Sequence, residues 1–230
     1  MSAHSYLVHA YAYDFSNLNV LECGSHSSGL ETALFRPNNN CFYIEANPTD
    51  YNNMLNHSDV IQKNIYNVAL YNHNVRIKFT VTSHPGNSSV LHCDSHKKEL
   101  QMIYQSTFID IEVECITYPH FIRNVIQRPI DVLVLDIEGS ECEVLKTMKE
   151  LTTTELPKFL VIEAGYDWPE RKTLLTELGY TIDFYQYNNA YLTHSSLNVI
   201  KNTPFIRKTN NENRQFVWEG KVIFVNDLCF

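Results

Sequence analysis

The sequence predicts an α/β fold in which a doubly wound, mostly parallel sheet is covered by helices. Two observations carry this prediction. Short apolar runs alternate with helical patterns along the chain, as they do in βαβ units. Residues 130–135 also form a continuous apolar run, which is typical of a central parallel strand buried on both faces.

The first half of the chain opens this alternation. A helix is predicted from Leu30, and another at 49–56 with Asn47 or Thr49 as its N-cap and Pro48 in its first turn. A third, short helix is predicted at 119–126. Strands are predicted at 19–23, 41–46, 60–70, 75–82 and 108–116.

The second half continues the pattern. After the strand at 130–135, Gly139 begins a helix that carries Val144, Leu145 and Met148 on one side. A helix at 169–178 is ended by Gly179 in the C′ position. The remaining strands are predicted at 159–164, 180–187 and 221–227.

Composition excludes several classes of function. The net charge of −8 argues against a nucleic-acid partner, because phosphate binding calls for a basic surface. No apolar run approaches the roughly 20 residues of a membrane helix, and no signal peptide opens the chain. We therefore expect a cytoplasmic protein. Its asparagine-rich loops are typical of AT-rich genomes, such as those of large DNA viruses, for which the compartment would be the host cytoplasm.

The cysteines and histidines form no metal motif. The six cysteines include no Cys-x-x-Cys pair, and we expect reduced, mostly buried thiols. The one local cluster, "HCDSH" at 92–96, lacks the second ligand pair that a zinc site needs, and is interpreted as a solvated loop.

Polar or small residues follow the apolar run at five predicted strand ends. In doubly wound sheets, ligands bind beyond the carboxyl ends of the strands, so the ligand site is expected there. These strand ends are Glu22–Gly29, Glu45–Pro48, Asn67–Leu70, Asp136–Gly139 and Glu163–Asp167.

The first two strand ends point to a nucleoside ligand. Gly24 and Gly29 allow a sharp turn and a close backbone approach. Glu45, 23 residues after Glu22, is placed to bind both hydroxyls of a ribose, with helix capping as the alternative. The G-x-G-x-x-G loop of dinucleotide sites is absent, and Glu22 would repel a pyrophosphate. An acid there suits a cationic ligand, which favours S-adenosylmethionine over NAD.

Acids also follow the central strand, in "LDIEGSE". Asp136 and Glu138 both follow the central strand, two residues apart. One is predicted to face the pocket while the other orients the loop or caps the next helix; a solvated acidic turn is the alternative.

Five segments carry a family resemblance: "VLECGSHSSGLETALF", "CFYIEANP", "NVAL", "DVLVLDIEGSECEVLK" and "FLVIEAGYD". In this order they resemble the FkbM family of S-adenosylmethionine-dependent methyltransferases, over residues 19 to 192. The resemblance implies a Rossmann-like class I methyltransferase with a seven-stranded sheet and an antiparallel late strand. One domain would span 1–230, with an N-terminal extension at 1–18 and an irregular insertion at 193–220. The domain is also expected to be part of a longer chain, linked to glycosyltransferase domains.

The resemblance also implies a cofactor site. Glu22 stands where the family often has Asp, and the Gly24–Gly29 spacing is one residue longer, with Ser28 at the usual second glycine, so a wider loop is expected. Glu45 would hold the ribose, and Asp136 would lie by the sulfonium. The full predicted cofactor set is Glu22, Gly24, Ser25, His26, Gly29, Thr32, Glu45, Ala46, Asn47, Asn67, Val68, Ala69, Asp136, Ile137 and Glu138.

A sugar or glycan hydroxyl is the implied acceptor. Candidate bases are Asp136, then Glu163, His26 and His194. A divalent ion at Asp136, Glu138 or Glu163 is the disfavoured alternative. Predicted acceptor contacts are Ser88, Ser89, Tyr166, Trp168, Tyr187, Asn188, Asn189 and Tyr191. The competing functions are a non-catalytic cofactor-binding or assembly module and a methyltransferase acting on RNA, protein or a small metabolite.

Overall fold

A computed structural model describes residues 2–83, 88–90, 94–165, 167–210, 215–218 and 221–224. The α-helices are α1 Ala3–Ala10, α2 Pro48–Leu55, α3 Asp94–Tyr104, α4 Tyr118–His120, α5 Glu141–Met148, α6 Trp168–Glu177 and α7 Thr203–Asn210. The strands are β1 Tyr11–Ala12, β2 Asn19–Cys23, β3 Asn40–Ile44, β4 Ile65–Tyr66, β5 Ala69–Leu70, β6 Arg76–Thr82, β7 Phe108–Ile116, β8 Val132–Leu135, β9 Phe159–Glu163, β10 Tyr180–Gln186, β11 Asn189–His194, β12 Ile200–Lys201, β13 Gln215–Trp218 and β14 Lys221–Phe224.

A seven-stranded sheet organises the molecule, in the order β10-β11-β9-β8-β2-β3-β4. The pairs from β9 to β4 are parallel, and β11 is antiparallel to both of its neighbours. The predicted α/β sheet with an antiparallel late strand is therefore confirmed. The central strand β8 is buried along its whole length, as its apolar run predicts.

Each face of the sheet carries its own core, because successive side chains in a strand point to opposite faces. Leu133 and Leu135 of β8 pack against α5 and α6 on one face. Val132 and Val134 pack on the other face with α1 and α2. Cys23, Cys41, Cys115 and Cys142 are free and buried, as expected of reduced thiols.

A smaller sheet, in the order β5-β7-β6, lies beside the large one. It begins where the predicted strand at 60–70 divides. Residues 62–64 form a 3₁₀ turn, and the chain then enters β4 of the large sheet and β5 of the small one. The segment predicted to carry one strand therefore carries two short ones. Asn67 lies between the two strands, and its side-chain amide donates to the backbone carbonyl of Glu45, just after β3.

Other element predictions need correction. The helix predicted from Leu30 is a 3₁₀ helix at Ala33–Asn38, because Thr32 is held by Glu22 and extends the loop. The helix at 119–126 is one α turn followed by a π-helical turn. Region 193–220 includes β12 and α7, so it is not irregular throughout. Helix α1, whose Tyr6 and Leu7 are buried in the core, was not predicted.

Two further predicted segments border residues that lie outside the described ranges. Helix α3 begins at Asp94, inside the segment predicted as a loop, while 91–93 lie outside the described residues. Strand β14 fits the prediction at 221–227 as far as Phe224, where the described part ends. Within the described ranges, no helix has the length and apolar character needed to cross a bilayer.

Candidate active site

A cavity lies at the carboxyl edge of the parallel strands, where four of the five predicted strand ends converge. Its empty volume is about 540 Å³, part of it open to solvent. Acids that follow β8 of the large sheet lie on one side of the cavity, and apolar residues at and before β5 of the small sheet lie on the other. The lining residues are Gly24, His26, Ile44, Glu45, Ala46, Asp50, Val68, Ala69, Leu70, Phe79, Ser88, Val90, Asp136, Ile137, Glu138 and Ser140.

The loop after β2 passes directly over the end of β8. Gly24 has a φ of +76°, and its N–H donates to the carbonyl of Ile44 at 3.0 Å. A Cβ at this position would lie 1.7 Å from the carbonyl oxygen of Asp136. Only glycine therefore fits, and its absent side chain lets the β2 and β8 loops form one wall of the cavity.

Several predicted cofactor residues support this loop from behind. Glu22 accepts from the N–H of Thr32 at 3.0 Å and from its hydroxyl at 2.6 Å. Burial raises the pKa of Glu22 to about 8. Ser25 is buried, with its hydroxyl 3.2 Å from the carbonyl of Ile44. A Cβ on Gly29 would lie 2.5 Å from the Tyr43 ring. These residues shape the loop, whereas His26 lines the cavity.

Glu45 is held at the centre of the cavity wall. Its carboxylate accepts from the N–H of His26 at 2.7 Å and from the N–H of Asn47 at 2.8 Å. Burial raises the pKa of Glu45 to about 7. Asn47 caps α2 as predicted, through Thr49 at 3.1 Å. The carboxylate therefore joins the β2 and β3 loops while it faces the cavity.

The apolar side of the cavity is formed by Val68 and Ala69 with neighbouring residues of the small sheet. Asn67 does not line the cavity. Its side-chain amide donates to the carbonyls of Glu45 at 2.8 Å and Ala46 at 3.2 Å. It thereby fixes the distance between the β3 loop and the apolar wall.

Acids crowd the opposite side. Oxygen atoms of Asp136, Glu141 and Glu163 lie within 4.8 Å of one another, and Glu138 lines the cavity beside them. Burial, followed by the negative charge of neighbouring acids, raises the pKa of Asp136 to about 7, of Glu163 to about 8 and of Glu138 to about 10. The first two carboxyls are therefore able to gain or lose a proton near neutral pH.

Two residues of this group were not assigned a role from the sequence. Glu141 is fully buried and accepts from the N–H groups of Ile137 at 2.9 Å and Gly139 at 3.0 Å. Arg171 of α6 places Nη2 2.6 Å from the Glu141 carboxylate. Glu141 was visible in "LDIEGSE", but nothing in the sequence links it to Arg171.

The predicted acceptor residues fall into two groups. Asn189 pairs with Glu163 in the sheet, and the backbone carbonyl of Asn188 accepts from the N–H of Ala164 at 2.6 Å. Tyr187, the residue before them, is 67% exposed. These three residues therefore lie at the edge of the site. Ser88 lines the cavity, and Ser89 donates to the carbonyl of Glu138. Trp168 and Tyr191 are buried in the two cores. Tyr166 lies outside the described residues.

His194 is at the other end of the sheet. Its N–H donates to the carbonyl of Lys158, before β9 begins, whereas Glu163 is the last residue of β9. Its ring contacts the hydroxyl of Ser196 at 2.7 Å and the carbonyl of Leu178 at 3.0 Å. The structure therefore does not bring His194 to the other candidate bases, because strand β9 separates them.

The strand order, its antiparallel β11 and the cavity at the carboxyl edge define a Rossmann-like methyltransferase. The chain belongs to the FkbM family, since the family model described as "Methyltransferase FkbM domain" matches residues 11–191. It is accordingly an S-adenosylmethionine-dependent methyltransferase. No curated protein gives a significant match to the sequence.

Three solved structures with a similar fold are the following. A ribosomal protein L11 methylase from Lactobacillus delbrueckii subsp. bulgaricus has 10% identity and a TM-score of 0.42, covering 86% of this chain and 76% of that one. A precorrin-6y C5,15-methyltransferase from Geobacter metallireducens has 12% identity and a TM-score of 0.43, covering 83% and 85%. M. capricolum TrmK with S-adenosyl-homocysteine has 12% identity and a TM-score of 0.41, covering 83% and 65%. At these scores the likenesses carry no argument about chemistry.

The chemistry of the cavity fits S-adenosylmethionine. Acids at the end of β8 suit a cationic sulfonium, the carboxylate of Glu45 suits a ribose diol, and Val68 and Ala69 suit an apolar base edge. These features follow one another along the strand order β8-β2-β3-β4. The residues that line the cavity therefore fit the chemical groups of the cofactor.

Proposed function

We propose that the chain transfers a methyl group to a hydroxyl of a sugar or glycan. One observation carries the proposal: Asp136 and Glu163 place carboxylate oxygens within 4.8 Å of each other, beside the cavity and beside the Asn188–Asn189 turn. Two carboxyls and two amides at one edge suit a hydroxyl-rich acceptor, since amides and carboxylates bind hydroxyls. The net charge of −8 supports an acceptor other than nucleic acid.

S-adenosylmethionine, when bound, supplies an electrophilic methyl group on sulfur. In our proposal Glu45 holds its ribose, Val68 and Ala69 border its base, and Gly24 lets the backbone approach its amino-acid end. These residues lie at the ends of neighbouring elements and line one cavity, where together they orient the ligand. Such positioning is the main catalytic task in an in-line transfer.

The acids take the acceptor's proton. Asp136 is our first candidate for the base and Glu163 the second, because both carboxyls have a pKa raised to near neutrality, Asp136 to about 7 and Glu163 to about 8. A base of that pKa is a stronger proton acceptor than an ordinary carboxylate and is still partly ionised at pH 7 to 8. In our proposal Tyr187, Asn188 and Asn189 orient the acceptor.

A screen of sugars and glycan fragments with methyl-labelled cofactor tests the proposal. We expect label in an ether-linked methyl group, and a loss of about 10²–10⁴-fold in the transfer rate in Asp136→Asn. Glu143→Gln changes a half-buried acid in α5 that pairs with Lys146 and does not line the cavity; it is the matched control and should keep full activity. Methylation of protein or RNA instead of sugar, or full turnover by Asp136→Asn, would refute the respective part of the proposal.

A further inference from the structure

Arg171 is the largest of the fully buried side chains. It lies in α6 and is 1% exposed, although a free guanidinium is strongly hydrated. Burial of such a charge is costly unless it is paired, and here the partners are carboxylates and a carbonyl. Those partners belong to the loops that surround the acidic side of the cavity.

Three contacts connect Arg171 to these loops. Nη2 lies 2.6 Å from the carboxylate of Glu141, and Nη1 donates to the backbone carbonyl of Glu163. Nε lies 2.6 Å from Asp167 Oδ1, in an orientation that forms an ion pair without a hydrogen bond. One guanidinium thus joins the segment after β8 to the segment after β9.

The contact with Glu141 extends to the cavity wall. Glu141 accepts from the backbone N–H of Ile137 and of Gly139, and between them Glu138 has a φ of +56°. A non-glycine residue adopts that conformation only where its surroundings hold it. The Arg171–Glu141 pair therefore holds the segment that places Asp136 and Glu138 at the cavity.

The same guanidinium also balances charge. Asp136, Glu138, Glu141, Glu163 and Asp167 gather around it, and its positive charge partly offsets the rise in the pKa values of Asp136, Glu138 and Glu163. None of these three side chains forms a hydrogen bond or an ion pair with another described residue. If Arg171 only stabilised the fold, its positive charge would not need to lie beside three acids that have no other partner among the described residues.

We propose that Arg171 is a positioning residue of the methyl-transfer site, acting through Glu141 and the carbonyl of Glu163, with its charge essential to that role. The inference rests on the proposed function only in that the cavity binds the methyl donor. It adds a residue on α6, outside every strand end that the sequence indicated. It also assigns to a guanidinium the counter-charge of the acidic group.

Chemical rescue tests the role of the charge. Calorimetric titration with S-adenosylhomocysteine is compared for the unmodified chain and for Arg171→Ala, and the variant should bind at least about 30-fold more weakly. Millimolar methylguanidinium should restore much of the affinity, whereas methylurea, its neutral analogue, should not. A residue that only fills space would be rescued equally by both compounds.

Two comparisons keep the test decisive. Arg123→Ala removes an exposed arginine that also pairs with two acids, and should leave the affinity unchanged. If Arg171→Ala does not fold, Arg171→Lys should bind more tightly than Arg171→Gln. Unchanged affinity in Arg171→Ala, equal rescue by methylurea, or equal binding by the Lys and Gln variants would overturn the proposal. Absence of binding by the unmodified chain would instead refute the methyl-donor site itself.

Discussion

Gly24→Ala is the most informative single substitution, because it changes one methyl group where the β2 and β8 loops meet. Gly24 has a φ of +76°, which costs a residue with a Cβ about 1–2 kcal/mol. The new Cβ would also lie 1.7 Å from the carbonyl oxygen of Asp136, against the 3.4 Å of ordinary contact, so the backbone must shift by about 1.7 Å. Overpacking of this kind costs about 1–3 kcal/mol.

We therefore expect Gly24→Ala to lose about 2–5 kcal/mol of unfolding free energy, the sum of strain and overpacking. Gly139→Ala is the matched control, because Gly139 also has a positive φ, of +104°, yet nothing lies within 4 Å of its added Cβ. The control should lose only the strain, about 1–3 kcal/mol.

Urea denaturation measures both losses, and calorimetry with S-adenosylhomocysteine measures the consequence for the site. Gly24→Ala should bind the cofactor product much more weakly than the control does, because the shift moves the Asp136 segment. Equal stability losses in the two variants would refute the steric reasoning. Equal affinities would show that this wall does not form the binding site.

Four further predictions follow from buried groups. Burial raises the pKa of Glu22 from 4.5 to about 8. Between these two pH values the folded chain therefore holds a proton that the unfolded chain has lost, and the free energy of unfolding should fall as the pH rises from 4.5 to 8. Glu22→Gln should flatten that fall by up to about 1.4 kcal/mol per pH unit in urea titrations from pH 4.5 to 8; an unchanged slope would contradict the assignment. Tyr11→Phe removes a 2.6 Å hydrogen bond to buried Asp183 and should cost about 1.5–3 kcal/mol of unfolding free energy; a loss below 0.5, a rough bound, would contradict the bond. His194→Ala should lower the melting temperature but leave cofactor affinity unchanged, since His194 lies at the opposite end of β9; weaker binding would place it nearer the site. Glu45→Ala should bind S-adenosylhomocysteine and its 2′-deoxy analogue alike, whereas the unmodified chain prefers the former; retained preference would exclude the ribose role.

The sheet was predictable because its strands are marked locally. The apolar run at 130–135 is typical of a strand covered on both faces, and Pro48 and Gly179 mark the start and the end of helices by their backbone requirements. Helix α1 has no such mark. Its stability comes from packing Tyr6 and Leu7 against distant strands, which a local pattern does not reveal.

The site was predictable where it follows from strand ends, and not where it depends on pairing across the sheet. Glu45 and Asp136 lie at the cavity because parallel strands end at one edge. Glu22 ends a strand too, yet its carboxylate turns to Thr32, ten residues along the chain, and supports the loop instead.

Long-range packing explains the other differences. Arg171 meets Glu141 only because α5 and α6 lie side by side, a contact between residues 30 positions apart. Tyr191 shares a face of β11 with Asn189, two residues before it, but it lies further inside the strand, where its ring is buried in the core and stacks on Phe184. Neither outcome is marked in the residues around it.

Calorimetric titration of the unmodified chain with S-adenosylhomocysteine tests most directly whether the cavity at the carboxyl edge is the methyl-donor site. We expect one molecule to bind per chain, and Gly24→Ala to weaken that binding far more than Gly139→Ala does. Binding that is absent at millimolar ligand, or that is indifferent to Gly24, would contradict the central claim.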